Sequence, residues 1–291
     1  MQAEFEVDAA LVARLVDAQH PDLAGPVTFI GNGWDNALFR LGDRYLARLP
    51  RRQVAADLVA NEQRWLPELA GRLGVDIPGP VRVGRAGSGY PWPWSIVPWF
   101  DGVAASDVPA EGRGNLAADL AAFVARLHTA APPDAPVNPF RGVPLLARDA
   151  VVQRRLQGGA IPRGNEIGAL WSRLVAVPEW GGPALWLHGD LHPANILLDQ
   201  RGHLRAVLDF GDLTGGDPAT DLAVAWLAFG AADRAAFRAR IDDLTGADHD
   251  TWQRARGWAI VFATAFLEGS EEGSPLLTIA RHTLVQVLNE E

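Results

Sequence analysis

Two short apolar runs, each bounded by polar turn residues, constrain the fold of this chain more than any other feature. The first run is Ile196 to Leu198, which follows the polar segment 188–195 with the sequence His-Gly-Asp-Leu-His-Pro-Ala-Asn. The second run is Leu204 to Leu208, and it ends at Asp-Phe-Gly in positions 209–211. Short apolar runs between turn residues predict buried strands. We therefore expect two strands that hold polar side chains together at one end of the pair.

Three of these polar residues have the spacing of a phosphoryl-transfer site. Asp190 and Asn195 lie on one loop, and Asp209 closes the second strand. A loose phosphoryl-transfer transition state needs positioning and charge neutralisation more than covalent help. Asp190 would accept a hydrogen bond from the substrate hydroxyl, while Asn195 and Asp209 offer the hard oxygen ligands that Mg²⁺ prefers. An ordinary strand, turn and strand would account for each segment alone, but not for both in this order.

The block His-Gly-Asp-Leu-His-Pro-Ala-Asn-Ile-Leu and the later Asp-Phe-Gly resemble the catalytic loop and the metal-binding segment of the aminoglycoside phosphotransferase family, with features of its macrolide-modifying members. The resemblance implies an α+β, bilobal, protein-kinase-like fold. Residues 1–100 would form a small β-rich nucleotide-binding lobe that ends in a hinge. Residues 101–291 would form a larger helical lobe with the catalytic and acceptor-binding parts.

The activity implied by this resemblance is a Mg²⁺-dependent transfer of the γ-phosphate of ATP or GTP to a hydroxyl of a small molecule. Within the family, an aminoglycoside or macrolide-type antibiotic is the leading acceptor, which would make the protein an antibiotic-resistance kinase. A metabolic kinase for an amino alcohol, a sugar or a homoserine-like compound is the alternative, because one fold serves many acceptors. A non-catalytic nucleotide-binding regulator is a third reading, disfavoured because all three polar positions are intact.

The first hundred residues contain the pattern of a nucleotide-binding sheet. Strand signals at 27–30, 37–41 and 45–49 follow a short helix over 8–19. Between the first two strands lies the turn Gly31-Asn32-Gly33-Trp34-Asp35-Asn36, in which Gly31, Gly33 and Asn36 could bring backbone N–H groups close to phosphate. A plain hairpin turn is the simpler reading of this motif alone. Trp34 at its tip would either stack on ligand or cap the lobe.

Arg48 stands where the family resemblance places the lysine that holds the nucleotide phosphates. Arginine keeps the charge and can grip phosphate with two donors, although its shape differs from that of lysine. The following helical pattern, 55–69, carries Glu62, which would pair with Arg48 as in the kinase Lys–Glu pair. A solvated helix glutamate is the alternative for Glu62. Pro67 within this pattern predicts an early end or a kink of the helix.

The segment at the end of the first lobe would contact the nucleotide base. Pro98, Trp99 and Phe100 follow a short apolar strand, and their backbone groups could read the purine edge, with Pro98 unable to donate an N–H.

Two residues of the second lobe are expected to support the catalytic loop. The resemblance gives Asp221 the role of a buried brace that accepts backbone hydrogen bonds, and His188 the role of orienting the loop. Asp217 is expected to cap a helix that begins at Pro218.

An acidic group near the C-terminus offers a tentative acceptor site. Glu268, Glu271 and Glu272 lie between two helical patterns, 251–268 and 276–288, and could attract substrate ammonium groups. A solvated turn is the favoured alternative.

Composition limits the remaining function classes. The net charge of −9 argues against nucleic-acid binding and is compatible with a cationic acceptor. No apolar run is long enough to span a membrane, the first residues are acidic rather than basic, and there is no cysteine. These features predict a cytoplasmic protein without a membrane partner or thiolate metal site.

Overall fold

The computed structural model describes residues 3–33 and 35–289, so Trp34 and its expected role lie outside the described residues. The chain divides into two compact units. The first is Met1–Asp101 together with Asp209–Gly211, and the second is Gly102–Leu208 together with Asp212–Glu291. The short segment that begins at Asp209 therefore packs with the first unit, although its neighbours in sequence belong to the second.

The first unit is built around one antiparallel sheet and two helices. The sheet has the strand order β1-β2-β3-β5-β4. Its elements are α1 (Ala9–Gln19), β1 (Val27–Asn32), β2 (Asn36–Leu41), β3 (Tyr45–Pro50), α2 (Gln53–Leu73), β4 (Arg82–Gly84) and β5 (Trp94–Pro98).

Burial alternates along β2, whereas β3 and β5 are buried over most of their length. In β2 the side chains of Ala37, Phe39 and Leu41 are buried, whereas the intervening ones are only half-buried. These apolar side chains pack with α1, whose buried face includes Leu15. Asp8 begins α1 by accepting a hydrogen bond from the Leu11 backbone N–H at 2.7 Å. The strands and the first helix confirm the sequence prediction for this part.

Pro67 does not end α2, so the expected early end of this helix is wrong. The helix continues to Leu73 and stops at Gly74, which has a φ of 68°. A proline removes one backbone donor from a helix, which is costly unless packing compensates. Leu66, Leu69 and Leu73 are all almost completely buried, and this apolar face holds the last turns in place.

The second unit is mainly helical and carries two small sheets with the strand orders β6-β8-β9 and β10-β7. Its elements are β6 (Val103–Ala104), α3 (Leu116–Leu127), α4 (Asp149–Gln157), α5 (Gly164–Leu174), β7 (Leu185–Leu187), β8 (Ile196–Leu198), β9 (Leu204–Val207), β10 (Thr214–Gly216), α6 (Ala219–Leu222), α7 (Val224–Ala228), α8 (Ala231–Thr245), α9 (His249–Gly269) and α10 (Pro275–Leu288).

The apolar runs 196–198 and 204–208 form paired strands, of which the second ends at Val207. β8 and β9 are antiparallel, with Ile196 opposite Val207. The helix expected to begin at Pro218 begins one residue later, at Ala219, and Pro218 takes the capping position. The Asp217 carboxylate still accepts a hydrogen bond from the Ala219 N–H, at 3.0 Å. A sheet-based first unit and a helical second unit confirm the predicted α+β class.

No helix within residues 3–33 and 35–289 combines the length and the apolar character needed to cross a lipid bilayer.

Candidate active site

The loop between β7 and β8 is held by one buried carboxylate. Oδ2 of Asp221 accepts a hydrogen bond from the His188 backbone N–H at 2.8 Å, and Oδ1 accepts one from the Gly189 N–H at 2.9 Å. Asp221 is completely buried, and Nε2 of His128 lies 3.2 Å from its Oδ2. Hydrogen bonds to a buried charged group are among the stronger ones in proteins. The start of the loop is therefore fixed by α6, the helix that carries Asp221.

Gly189 is required by the shape of this loop. Its φ is 84°, and a Cβ placed on it would lie 2.3 Å from the carbonyl oxygen of Asp212. Only glycine meets both conditions without strain. The residue that precedes Asp190 is thus fixed by the backbone geometry of the turn.

His188 connects the loop to the end of β9. Its Nε2 lies 2.9 Å from the Leu208 carbonyl oxygen, and its Nδ1 accepts a hydrogen bond from the Asp190 backbone N–H at 3.2 Å. The two ring nitrogens thus each contact one backbone group, one within the loop and one at the end of β9. The contacts are those of a residue that orients the loop.

Asp190 lies between the side chains of Arg141 and His192. Its Oδ1 is 3.2 Å from Nη2 of Arg141, and its Oδ2 is 3.2 Å from Nε2 of His192. Burial raises the pKa of the Asp190 carboxyl, but His192 and Arg141 outweigh burial, so its pKa lies well below the ordinary value. Asp190 is therefore ionised at neutral pH and keeps its acceptor capacity.

The side chain of Asn195 is oriented by the same loop. Its Nδ2 donates to the Asp190 carbonyl oxygen at 2.9 Å, and the Leu208 N–H donates to the Asn195 carbonyl oxygen at 2.8 Å. The donor group of the amide thus turns toward the loop. Its Oδ1 makes no hydrogen bond to the described residues and is available to a cation.

The first unit holds the third predicted catalytic residue. Asp209 has a φ of 57°, which is rare for a residue with a side chain and is best tolerated by Asp and Asn. Its carboxylate is 60% exposed, and its Oδ1 lies 3.5 Å from Nη2 of Arg48. An exposed carboxylate held in a sparsely populated backbone conformation is typical of functional positions.

Arg48 forms the expected ion pair with Glu62. Nη1 of Arg48 lies 2.9 Å from Oε1 of Glu62, and both side chains are nearly inaccessible to solvent. Burial opposes the charge of Arg48, but Glu62 and Asp209 outweigh it and raise the pKa of the guanidinium. Glu62 is therefore not a solvated helix residue, and a role of the pair in phosphate binding stays a prediction.

The glycine turn of the first unit is a β-hairpin turn. The Gly33 N–H donates to the Asn36 carbonyl oxygen at 2.8 Å, and Gly31 still lies within β1. A Cβ on Gly31 would meet nothing within 4 Å, and neither glycine has a positive φ. The described residues thus give no steric reason for these glycines. Oδ1 of Asn36 is buried and has no partner among the described residues.

The segment after β5 is partly engaged by its own sheet. The Trp99 N–H donates to the Arg44 carbonyl oxygen at 2.8 Å, and the indole N–H of Trp99 donates to Asp101 at 2.8 Å. The Trp99 N–H is therefore not available to a base, which corrects part of the sequence interpretation. Phe100 and the carbonyl groups of this segment keep their predicted role.

The acidic residues near the C-terminus are surface residues. Glu268 pairs with Arg155 at 2.8 Å and with Arg154 at 3.1 Å. Glu271 is exposed, and Glu272 lies 3.9 Å from Arg281 at the surface. The carboxylate of Glu268 is already engaged by arginines, so these residues do not form a ready ammonium site.

Arg141 and Asn138, near the loop that carries Asp190, were not predicted from the sequence. Arg141 contacts Asp190 and also lies 3.5 Å from Oδ2 of Asp212, with its guanidinium 4.8 Å from the ring centre of Phe262. Oδ1 of Asp212 accepts a hydrogen bond from Asn138 at 2.6 Å. Arg141 and Asn138 lie in a proline-rich loop without periodicity, and only the polar character of single residues could have drawn attention to them.

The structure thus brings the predicted residues together in two groups. Asp190 and Asn195 lie together in the second unit with His188 and Asp221. Arg48, Glu62 and Asp209 lie together in the first unit. The acidic residues 268, 271 and 272 join neither group.

The fold is that of solved phosphotransferase structures. A GDP complex of wild-type aminoglycoside 2'-phosphotransferase-IIIa is 19% identical, with a TM-score of 0.70 over 97% of this chain and 99% of that chain. The apoenzyme of macrolide 2'-phosphotransferase MphH from Brachybacterium faecium is 22% identical, with a TM-score of 0.63 and 98% coverage of both chains. These similarities confirm the predicted kinase-like fold.

Sequence comparison gives the family. The chain is 36% identical over 78 residues to the uncharacterized protein YcbJ of Bacillus subtilis (strain 168), which is 24% of this chain and 26% of that protein. It thus spans about a quarter of the length of that relative. The profile of the phosphotransferase enzyme family (APH) matches residues 26–258, which is most of the sequence. The chain therefore belongs to the APH phosphotransferase family.

Proposed function

We propose that this protein transfers the γ-phosphoryl group of a nucleoside triphosphate to a hydroxyl of a small molecule. The bond between the acceptor oxygen and the γ-phosphorus forms as the bond from that phosphorus to the β–γ bridging oxygen breaks. The nucleoside diphosphate leaves with that oxygen, and the hydroxyl proton passes to Asp190 and then to solvent. The observation that carries the proposal is the Asp190 carboxylate, held ionised by Arg141 and His192 on a loop fixed by Asp221.

Asp190 acts mainly by orienting the acceptor. A carboxylate with a lowered pKa is a weak base, so it accepts a hydrogen bond from the hydroxyl and takes the proton late, when the P–O bond is forming. Holding the acceptor oxygen in line with the phosphorus lowers the entropic part of the barrier.

We propose that Asn195 and Asp209 supply oxygen ligands to Mg²⁺. Asn195 offers an amide oxygen that no described residue uses, and Asp209 offers an exposed carboxylate. Mg²⁺ is commonly bound by one or two carboxylates together with substrate phosphates and water, rather than by a cage of protein ligands. Bound Mg²⁺ would neutralise charge on the β- and γ-phosphates. The residues described here contain no group of three or more His, Asp or Glu side chains that could hold a metal without nucleotide.

Arg48 is proposed to contact the nucleotide phosphates, with Glu62 holding its guanidinium in place. Gly31 and Gly33 carry no side chain that would keep phosphate away from the backbone of this turn, although the Gly33 N–H itself donates to the Asn36 carbonyl oxygen. Phe100 and the carbonyls beside it, including those of Pro98 and Trp99, would contact the base. ATP and GTP both fit this proposal, and GDP is bound in one of the similar structures.

The acceptor class favoured by family likeness is an aminoglycoside or macrolide antibiotic, because the similar structures are of enzymes with those names. A cationic acceptor would need unpaired carboxylates near Asp190. Glu268, the predicted ammonium contact, is instead paired with two arginines. Metabolic small molecules with a hydroxyl group are therefore proposed as acceptors together with the antibiotics.

The test is transfer by the purified protein with Mg²⁺ and either ATP or GTP. Acceptors would be aminoglycosides, macrolides, amino alcohols, sugars, hydroxy acids and sugar phosphates. Release of nucleoside diphosphate and the mass increase of one phosphoryl group on the acceptor are measured together. The proposal is supported if wild type transfers phosphate to an acceptor and Asp209→Ala does not. High Mg²⁺ should not restore transfer to any acceptor in Asp209→Ala. Nucleotide binding without transfer to any class would favour the regulator over the kinase.

A further inference from the structure

Arg148 is a cation without a partner. It precedes α4 directly, and within the described part of the chain it makes no hydrogen bond and no ion pair. Its guanidinium carbon lies 5.5 Å from the ring centre of Phe140, which is itself 58% exposed. Its Nε is buried without an acceptor. Guanidinium groups carry five donors and remain charged, so a half-buried one without a protein acceptor has donors available to an external anion.

Two more arginines surround this position. Arg155 follows Arg148 by seven residues along α4, which is two helical turns and therefore the same face of the helix. The positive charges of Arg141 and Arg155 add to burial in lowering the pKa of Arg148. Arg141 and Arg155 each also have one buried guanidinium nitrogen that donates no hydrogen bond to a described residue. The three side chains thus form an arginine cluster with unused donors.

The cluster adjoins the proposed reaction centre. Nη2 of Arg141 lies 3.2 Å from Oδ1 of Asp190, the carboxylate that would orient the acceptor hydroxyl. A small molecule with its hydroxyl at Asp190 would therefore have other groups beside Arg141. Phe140, an exposed apolar side chain beside Arg148, could cover part of the carbon skeleton of that molecule.

The nearby carboxylates are already engaged. Glu268 pairs with Arg155 at 2.8 Å, and Oδ1 of Asp149 accepts a hydrogen bond from the indole N–H of Trp171 at 2.7 Å. Asp190 is shared by Arg141 and His192. Within the described part of the chain, the region therefore offers an anion the free donors of Arg148, whereas the carboxylates of Glu268, Asp149 and Asp190 already have partners.

We propose that Arg148, supported by Arg141 and Arg155, binds an anionic group, carboxylate or phosphate, on the hydroxyl acceptor. This inference rests on the proposed function, because it places the acceptor hydroxyl at Asp190. The acceptor is then a hydroxy acid or a phosphorylated polyol rather than a polycationic antibiotic. Arginine suits this role because its planar donors match carboxylate and phosphate oxygens in pairs.

The first experiment measures kinetics on acceptors in matched pairs: glycerol against glycerate and glycerol phosphate, and glucose against gluconate and glucose phosphate. Kanamycin and erythromycin represent the antibiotics. Wild type is compared with Arg148→Gln and with Arg173→Gln, an exposed arginine in the last turn of α5. Charged hydrogen bonds are worth about 1.5–3 kcal/mol, so Arg148→Gln should raise KM for the anionic acceptor about 10- to 100-fold and leave kcat within about twofold. Arg173→Gln should change neither.

The acceptors also distinguish the source of the anion. A KM effect confined to hydroxy acids assigns the subsite to carboxylate, and one confined to phosphorylated acceptors assigns it to phosphate. Transfer to neutral or cationic acceptors only, with equal KM in wild type and Arg148→Gln, overturns the inference while the proposed function stands.

A binding experiment separates failure of the inference from failure of the proposed function. With Mg²⁺ and ADP present at saturation, malonate and inorganic phosphate are titrated into wild type and the two variants, and the melting temperature is followed. A rise in wild type and Arg173→Gln that is lost in Arg148→Gln supports the subsite even if no acceptor is phosphorylated. Equal responses of all three proteins, together with no kinetic effect, overturn it.

Discussion

The guanidinium of Arg48 lies 2.9 Å from the carboxylate of Glu62, and both side chains are nearly fully buried. Neither charge has access to bulk water, so each depends on the other. Asp209 adds a second, longer contact to the same guanidinium, at 3.5 Å. An arginine thus occupies the position at which the family resemblance expects lysine, and it makes the contact expected of that lysine.

Arg48→Met should destabilise the first unit and weaken nucleotide binding. It leaves Glu62 buried without a counter-ion, and breaking a buried ion pair costs about 3–5 kcal/mol. Arg48→Lys should retain a large part of both properties, because an ammonium group can still pair with Glu62. Denaturant unfolding and nucleotide affinity are the measurements. Arg82→Met removes an exposed ion pair with Asp22 and serves as the control, with a cost below about 1 kcal/mol. Equal losses in Arg48→Met and Arg82→Met would contradict this account.

Asp221→Asn should lower kcat strongly and destabilise the protein. An amide cannot accept hydrogen bonds at both of its heavy atoms, so the N–H of His188 or of Gly189 loses its acceptor in a buried site. We expect a loss of about 1–3 kcal/mol in the free energy of unfolding. Asp199→Asn is the matched control, because Asp199 also accepts two backbone N–H groups, from Arg201 and His203, but at an exposed turn. A folded Asp221→Asn protein with unchanged kcat would argue against the bracing role.

Gly189→Ala should be far more harmful than Gly159→Ala. Both glycines have a positive φ, which costs an alanine about 1–2 kcal/mol. At Gly159 a Cβ would meet nothing within 4 Å, whereas at Gly189 it would meet the Asp212 carbonyl oxygen at 2.3 Å. Thermal unfolding of the two variants isolates the cost of this clash. Similar melting temperatures for the two variants would show that the loop relaxes freely.

His282 should make the protein less stable as the pH falls below neutrality. Burial, followed by the charge of Arg113, lowers the pKa of His282 below its value of about 6.5 in unfolded chains. Around and below that pH the unfolded chain binds more protons than the folded one, so the free energy of unfolding decreases. Its Nε2 lies 3.2 Å from the Phe229 carbonyl oxygen, consistent with a neutral ring. His282→Gln should flatten the decrease between about pH 7 and pH 5, whereas the exposed His249→Gln should not.

The sequence was sufficient for those features that depend on neighbouring residues. The apolar runs 196–198 and 204–208 are local patterns, and both lead to the correct strands. The pair of Arg48 and Glu62 could be predicted from the sequence. The two residues are 14 positions apart, on a strand and the following helix, in a pattern shared with kinases.

The features that sequence reasoning missed depend on distant parts of the chain. Arg141 reaches Asp190 across 49 residues, from a loop without periodicity that gives no local signal. The continuation of α2 beyond Pro67 depends on tertiary burial of Leu69 and Leu73, which outweighs the local cost of proline. The use of the Trp99 N–H by Arg44 follows from strand pairing and could not be read from residue type.

The most direct test of the account compares wild type with Asp190→Asn on an acceptor that wild type phosphorylates. Single-turnover transfer and the affinity for the Mg²⁺–nucleotide complex are measured on the same preparations. The account predicts a fall in the transfer rate of about 10²-fold or more, with nucleotide affinity within about threefold of wild type, because Asp190 orients the acceptor and not the nucleotide. A transfer rate in Asp190→Asn equal to that of wild type would contradict the assignment of Asp190 to the reaction.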